Sequence, residues 1–117
     1  MNAKKLALLI QEACEEKKGV EPLIMDVRKL TNVADYFILV HGSSDRHVRT
    51  IADNVIEQVQ KAGIKPYHVE GLNSAKWILL DYGTVIVHVF YYEARKFYHL
   101  ERLWGDAKII KEKPLFA

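Results

Sequence analysis

The sequence is short of almost everything that usually announces chemistry. Cys14 is its one cysteine, so no intramolecular disulfide can form, which fits a reducing, cytoplasmic setting. No apolar run approaches the length of a membrane span. The first residues lack a signal-type apolar region, and Glu12, Glu15 and Glu16 argue against an organelle transit peptide. An excess of charge is missing too. Seventeen Lys and Arg stand against fifteen Asp and Glu, a net +2 that is too balanced to predict stand-alone RNA binding. The histidines are His41, His47, His68, His88 and His99, and no two lie four apart as a helical metal site needs. There is no Gly-x-Ser-x-Gly elbow and no Walker loop.

Apolar residues, by contrast, are plentiful. They make up half of the 117 residues, enough to close one domain around a core without disulfides or metals. Residues 1–107 are expected to form that domain, and residues 108–117 a charged, frayed tail. Asn2 can cap a first helix with Leu6, Leu9, Ile10, Ala13 and Cys14 on one face, ending near Gly19. Cys14 on that face reads as a small buried hydrophobe, since nothing nearby would activate a thiolate. Pro22 leads a short strand over 23–27. The unbroken apolar run 36–40 reads as a central strand buried on both faces, with a helix on at least one side of the sheet. Ser43 or Ser44 then caps a second helix carrying Val48, Ile51, Ala52, Val55, Ile56 and Val59 as its apolar stripe. Residues 64–70 form a further short strand, and residues 71–76 a loop.

The stretch 77–104 is the centre of the chain. Trp77-Ile-Leu-Leu80 and Val85-Ile-Val-His-Val-Phe90 are rich in β-branched and aromatic residues, and Gly83 between them supplies a tight turn. A two-residue loop at Tyr82-Gly83 pairs Leu80 with Val85 and Trp77 with His88. One face of this hairpin then carries Ile78, Leu80, Val85, Val87 and Val89. The other carries Trp77, Leu79, Ile86, His88 and Phe90. The aliphatic face must be core. The mixed face is either covered by a helix or is in part a docking surface with Trp77 prominent. From Tyr91 to Leu103 the period becomes helical, with Gly105 as its stop. The expected order is α-β-β-α-β-β-β-α, an α/β fold with a mixed five-stranded sheet packed with helices.

Two clusters invite a functional reading. A strand followed by Gly42-Ser43 and a helix resembles the phosphate-binding turn of nucleotidyltransferases. That chemistry also needs closely spaced carboxylates to hold metal ions. The strands after the helix offer only Glu70 and Asp81, singly, and the chain contains no Asp-x-Asp or Asp-x-Glu. Arg46, His47 and Arg49 crowd the positive end of the second helix. Solvent with Asp45 and Asp53, or a partner carboxylate or phosphate, would offset them.

The string W-x-x-x-D-Y-G-x-V-I-V-H-V-F from Trp77, followed by R-x-F-Y-x-L-E-R-L-W-G-D-A from Arg95, resembles the ribosomal silencing factor (Iojap) family. So do A-D-Y-F-I-L-V-x-G-S-S-x-R-H-V from Ala34 and V-E-G-x-x-S-A-x-W from Val69. The likeness runs from about Leu6 to Ala107. One position departs from it, for Thr84 stands where the family commonly carries an acid.

This resemblance implies an α/β fold related to nucleotidyltransferases, and no catalysis or cofactor. It implies a translational repressor. Such a protein binds the large ribosomal subunit through the universal large-subunit protein numbered fourteen, on the inter-subunit face. It sterically blocks joining of the small subunit when nutrients are scarce. By matching position, Trp77, Leu79, Asp81, Tyr82, His88, Tyr98 and Trp104 are the candidate partner-binding residues. A homodimer when free, using the same aromatic face, is a further implication. The competing reading is a nucleotidyltransferase-like enzyme that binds a nucleotide.

Overall fold

Two helices and six strands make up the described part of the chain, residues 1–93 and 107–110 of a computed structural model. In order they are α1 (Ala3–Glu16), β1 (Val20–Asp26), β2 (Tyr36–Gly42), α2 (Asp45–Lys61), β3 (His68–Glu70), β4 (Trp77–Asp81), β5 (Val85–Tyr91) and β6 (Lys108–Ile110). The strands form one mixed sheet in the order β3-β4-β5-β2-β1-β6. The β2–β5 pair is parallel, and every other neighbouring pair is antiparallel.

Both helices start where their caps place them. The Asn2 side chain accepts a hydrogen bond from the Lys5 amide at 2.8 Å, and Ser44 Oγ accepts one from the His47 amide at 3.1 Å. At the far end of α2, Gly63 N–H donates to the Gln60 carbonyl and Ile64 N–H to that of Val59. This bond pair is a Schellman ending. The apolar stripes of α1 and α2 cover the same face of the sheet. Ile10 and Cys14 from α1, and Val48, Ile51, Val55 and Val59 from α2, pack with Ile38, Val40, Ile78, Leu80, Val87 and Val89. Buried Asn54 ties the two helices together by donating to the Ala13 carbonyl at 2.8 Å and to Glu16 Oε1 at 3.1 Å. β2 is the expected central strand, buried along its length except at His41.

The α/β class and the mixed sheet agree with the sequence, but the sheet has six strands rather than five. The extra strand comes from the segment expected to fray. Ile109 and Ile110 pair with Met25 and Ile24 and place one apolar side chain on each face. Two isoleucines between lysines carry too little periodicity to be read as a strand. Residues 111–117 lie outside the described residues. The helix expected over 91–103 lies outside them from residue 94 onward, and Tyr91 itself continues β5.

The hairpin register also differs. Trp77 faces Phe90, Leu79 faces His88 and Leu80 faces Val87, a slip of two from the expected pairing. The turn moves to Gly83-Thr84, because Tyr82 N–H already bonds the Val85 carbonyl and Asp81 Oδ1 accepts from Gly83 N–H at 2.7 Å. A slip of two leaves every side chain on its expected face. Ile78, Leu80, Val85, Val87 and Val89 are accordingly all fully buried beneath the helices.

Candidate functional site

The other face of the sheet is built from alternate residues of β1, β2, β4 and β5. Met25, Phe37, Leu39, Ile86 and Phe90 form a second apolar cluster, against which Leu23, Trp77, Leu79 and Ile109 pack. Neither α1 nor α2 lies on this face. Its centre is closed, with Leu39 and Phe90 fully buried, whereas Trp77 and Leu79 on β4 stay partly exposed. β3 is short and borders β4, placing Glu70 beside Leu79 and His68 beside Asp81. Glu70 Oε1 and His68 Nε2 lie 2.7 Å apart at the surface. The result is an apolar centre with a charged rim, the anatomy of a docking patch.

An aromatic network holds Trp77 in place. Its ring lies 5.1 Å from Phe90 and 5.9 Å from His88, and its indole N–H donates to His88 Nδ1 at 3.1 Å. The Phe37 and His88 rings meet in a T-shaped arrangement, their centroids 5.4 Å apart. His88 is 7 % exposed, and burial pushes its pKa down to about 4. It is therefore neutral at physiological pH, with Nδ1 as acceptor and Nε2 carrying the proton. It serves as the acceptor that orients Trp77, diagonally across the hairpin rather than directly opposite.

The remaining candidates divide by place. Trp77, Leu79 and Asp81 share the partly exposed strip. The Asp81 carboxylate is engaged in the turn, on Gly83 N–H. Tyr82 belongs to the helix-covered core at 4 % exposure, and its pKa rises to about 12 by burial. It underlies the hairpin and does not line its surface. Tyr98 and Trp104 lie outside the described residues. Thr84, the departure from the family pattern, contributes its carbonyl, which accepts from the amides of Asp35 and Tyr36 where β2 meets β5. Any residue has that carbonyl, so the substitution leaves the contact intact.

The Gly42-Ser43 turn is occupied from within. Ser43 N–H donates to His47 Nδ1 at 2.9 Å, and His47 Nε2 lies 2.8 Å from the Lys17 carbonyl. The amide that a phosphate would need is spent on a side chain. Arg49 reaches the carbonyls of Leu72 at 3.0 Å and Asn73 at 2.6 Å. Of the three basic residues at the start of α2, His47 and Arg49 are thus engaged by neighbouring backbone groups, an answer the sequence did not suggest. Sequence reasoning also missed a concavity of about 250 Å³ at the opposite edge, lined by Lys4, Asp26, Arg28, Tyr36 and Lys108. There Arg28 grips Asp26 with two bonds, at 3.0 and 2.7 Å, and holds that carboxyl below its usual range. Burial raises the Cys14 thiol to about 12, so it remains a packing residue.

Fold and site define an α/β domain in which a partly exposed strip of β4, with Trp77 and Leu79, lies over a buried aromatic cluster on one face of the sheet. The family model "Ribosomal silencing factor during starvation" matches residues 1–116, and the chain belongs to that family. It is 40% identical over 109 residues to the ribosomal silencing factor of Bacillus subtilis, covering 93% of this chain and 92% of that one. A crystal structure from Chromobacterium violaceum superposes with a TM-score of 0.88 at 35% identity, covering 90% of this chain and 88% of that one. A second, from Bacillus halodurans, gives 0.83 at 31% identity and covers 93% and 99%.

Proposed function

We propose that this protein is a translational repressor that docks on the large ribosomal subunit through the β4 face of its sheet and sterically blocks joining of the small subunit. The observation that carries this reading is the partly exposed pair Trp77 and Leu79, held by His88 and Phe90 and rimmed by Glu70, His68 and Asp81. Membership of the ribosomal silencing family supports a target on the ribosome. The proposed contact is the universal large-subunit protein numbered fourteen, on the inter-subunit face, and the site of action is the cytoplasm. A homodimer of the free protein would use the same face and so compete with docking. Occlusion needs no covalent step, in keeping with a Gly-Ser turn filled by His47 and with Glu70 and Asp81 each engaged locally.

Affinity capture with purified subunits tests this. The tagged protein is expected to retain large but not small subunits, with crosslinks from positions 77 and 79 reaching one large-subunit protein. Equal retention of both subunits, or crosslinks only from the helix-covered side, would contradict it. The enzymatic alternative predicts stabilisation by a nucleotide with Mg²⁺, since a ligand that binds only the folded state raises the melting temperature. No such shift is expected with any of the four nucleoside triphosphates.

A further inference from the structure

The loop that delivers the chain to Trp77 is held unusually firmly for an exposed connection. Residues 71–76 join β3 to β4. Gly71 has φ +86° and lies so close to β4 that a Cβ there would strike the Trp77 carbonyl. Ala75 takes a left-handed φ of +54°, rare for a residue with a side chain, and is fully buried in the helix-side core. Its N–H bonds the Gly71 carbonyl at 2.9 Å, and the Lys76 carbonyl accepts from Tyr91 N–H at 2.9 Å. Between these fixed points the carbonyls of Leu72 and Asn73 turn toward α2. The Arg49 guanidinium meets both, through Nε at 3.0 Å and Nη2 at 2.6 Å. A planar fork with a permanent charge suits two adjacent carbonyls, whereas an ammonium has no matching geometry.

We propose that Arg49 is a positioning residue for the docking patch: by clamping the two carbonyls of the 71–76 loop, it fixes where β4 begins and hence where Trp77 stands. This rests on the docking reading above and adds its device. Arg49 lies on α2, on the far side of the sheet from the patch, and acts through the loop without touching the partner. The clamp also explains how a left-handed, buried Ala75 persists. The loop is tied at Gly71, at Leu72 and Asn73, and at Lys76, so its strained residue has no room to relax.

The test uses Arg49→Met, which keeps much of the length and removes the fork, and Arg49→Lys, which keeps the charge. In the free protein, hydrogen exchange at the Ala75 amide reports the loop directly. Both variants are expected to exchange about tenfold faster there, with exchange in the central strands unchanged. Unchanged protection at Ala75 would overturn the clamp whatever the protein binds. The second arm is large-subunit binding in a double-mutant cycle. Arg49→Met is expected to weaken binding about tenfold alone and to add almost nothing in a Trp77→Ala background. Losses that simply multiply would mean that Arg49 acts independently of Trp77, and the positioning role would fall. Faster exchange with unimpaired binding, while Trp77→Ala does lose binding, would overturn it too. If Trp77→Ala binds normally, the docking reading itself fails and the positioning role with it, while the exchange result still decides whether the clamp exists.

Discussion

His88 is the residue on which the patch turns. It sits under Trp77, receives the indole N–H, and is neutral because burial lowers its pKa to about 4. The unfolded chain takes up that proton near the ordinary value of 6.5, so between about pH 6.5 and pH 4 the unfolded state binds more protons than the folded one. Stability contributed by His88 is therefore complete above about pH 6.5 and falls as the pH drops toward 4. The loss is on the order of 3 kcal/mol at most. Urea unfolding across this window is expected to show a steeper fall for the wild type than for His88→Gln, and parallel curves would count against the buried neutral imidazole. Cys14 offers a second check at this scale. A thiol raised to about 12 and fully buried should not react with a thiol reagent in the folded protein at neutral pH, and fast labelling would contradict its packing role. The role of Cys14 was legible beforehand from its helical stripe, whereas His88, expected among the partner-binding candidates, lies buried and accepts the Trp77 indole N–H. The Trp77 partnership was legible only loosely. The hairpin slips by two, so the bond is diagonal, and no sequence pattern fixes a turn to one residue.

At the scale of elements, side-chain parity outlasts register. The expected faces of β4 and β5 survived the slip because alternation has a period of two. Val87 is fully buried in the core that the helices cover, so Val87→Asp would place a carboxylate there without a partner. That costs at least several kcal/mol, against the ~5–15 kcal/mol that holds a typical domain. The variant is expected to be unfolded or insoluble, and a native circular dichroism spectrum with an unchanged melting temperature would show the face to be misassigned. Gly19 was readable as the end of α1, but the physical reason differs. The helix stops at Glu16, Lys18 takes the left-handed conformation, and Gly19 is needed because a Cβ would collide with Val40. Close approaches between distant segments leave no mark in a local pattern. The same limit hid β6, whose pairing with β1 joins residues far apart in the chain. It also hid the reach of Arg49 and His47 to carbonyls on other loops.

For the whole molecule, the sheet separates two tasks. One side is closed by α1 and α2 and makes the domain stable. On the other, among the described residues, Trp77 and Leu79 on β4 stay partly exposed beside a short edge strand, and this strip is the proposed docking surface. Truncating a buried Trp anchor typically costs about 2–4 kcal/mol, or roughly thirtyfold to several-hundredfold in affinity. Because Trp77 also caps His88, Leu79→Lys provides a companion change on the same strip that leaves the aromatic network alone. Joining of purified ribosomal subunits, followed on sucrose gradients at increasing protein concentration, tests the central claim most directly. The wild type is predicted to hold the subunits apart. Folded Trp77→Ala and Leu79→Lys should each need at least about thirtyfold more protein to do so. If both variants fold and still prevent joining at wild-type concentrations, or if the wild type leaves joining untouched, the β4 face is not the surface through which this protein acts.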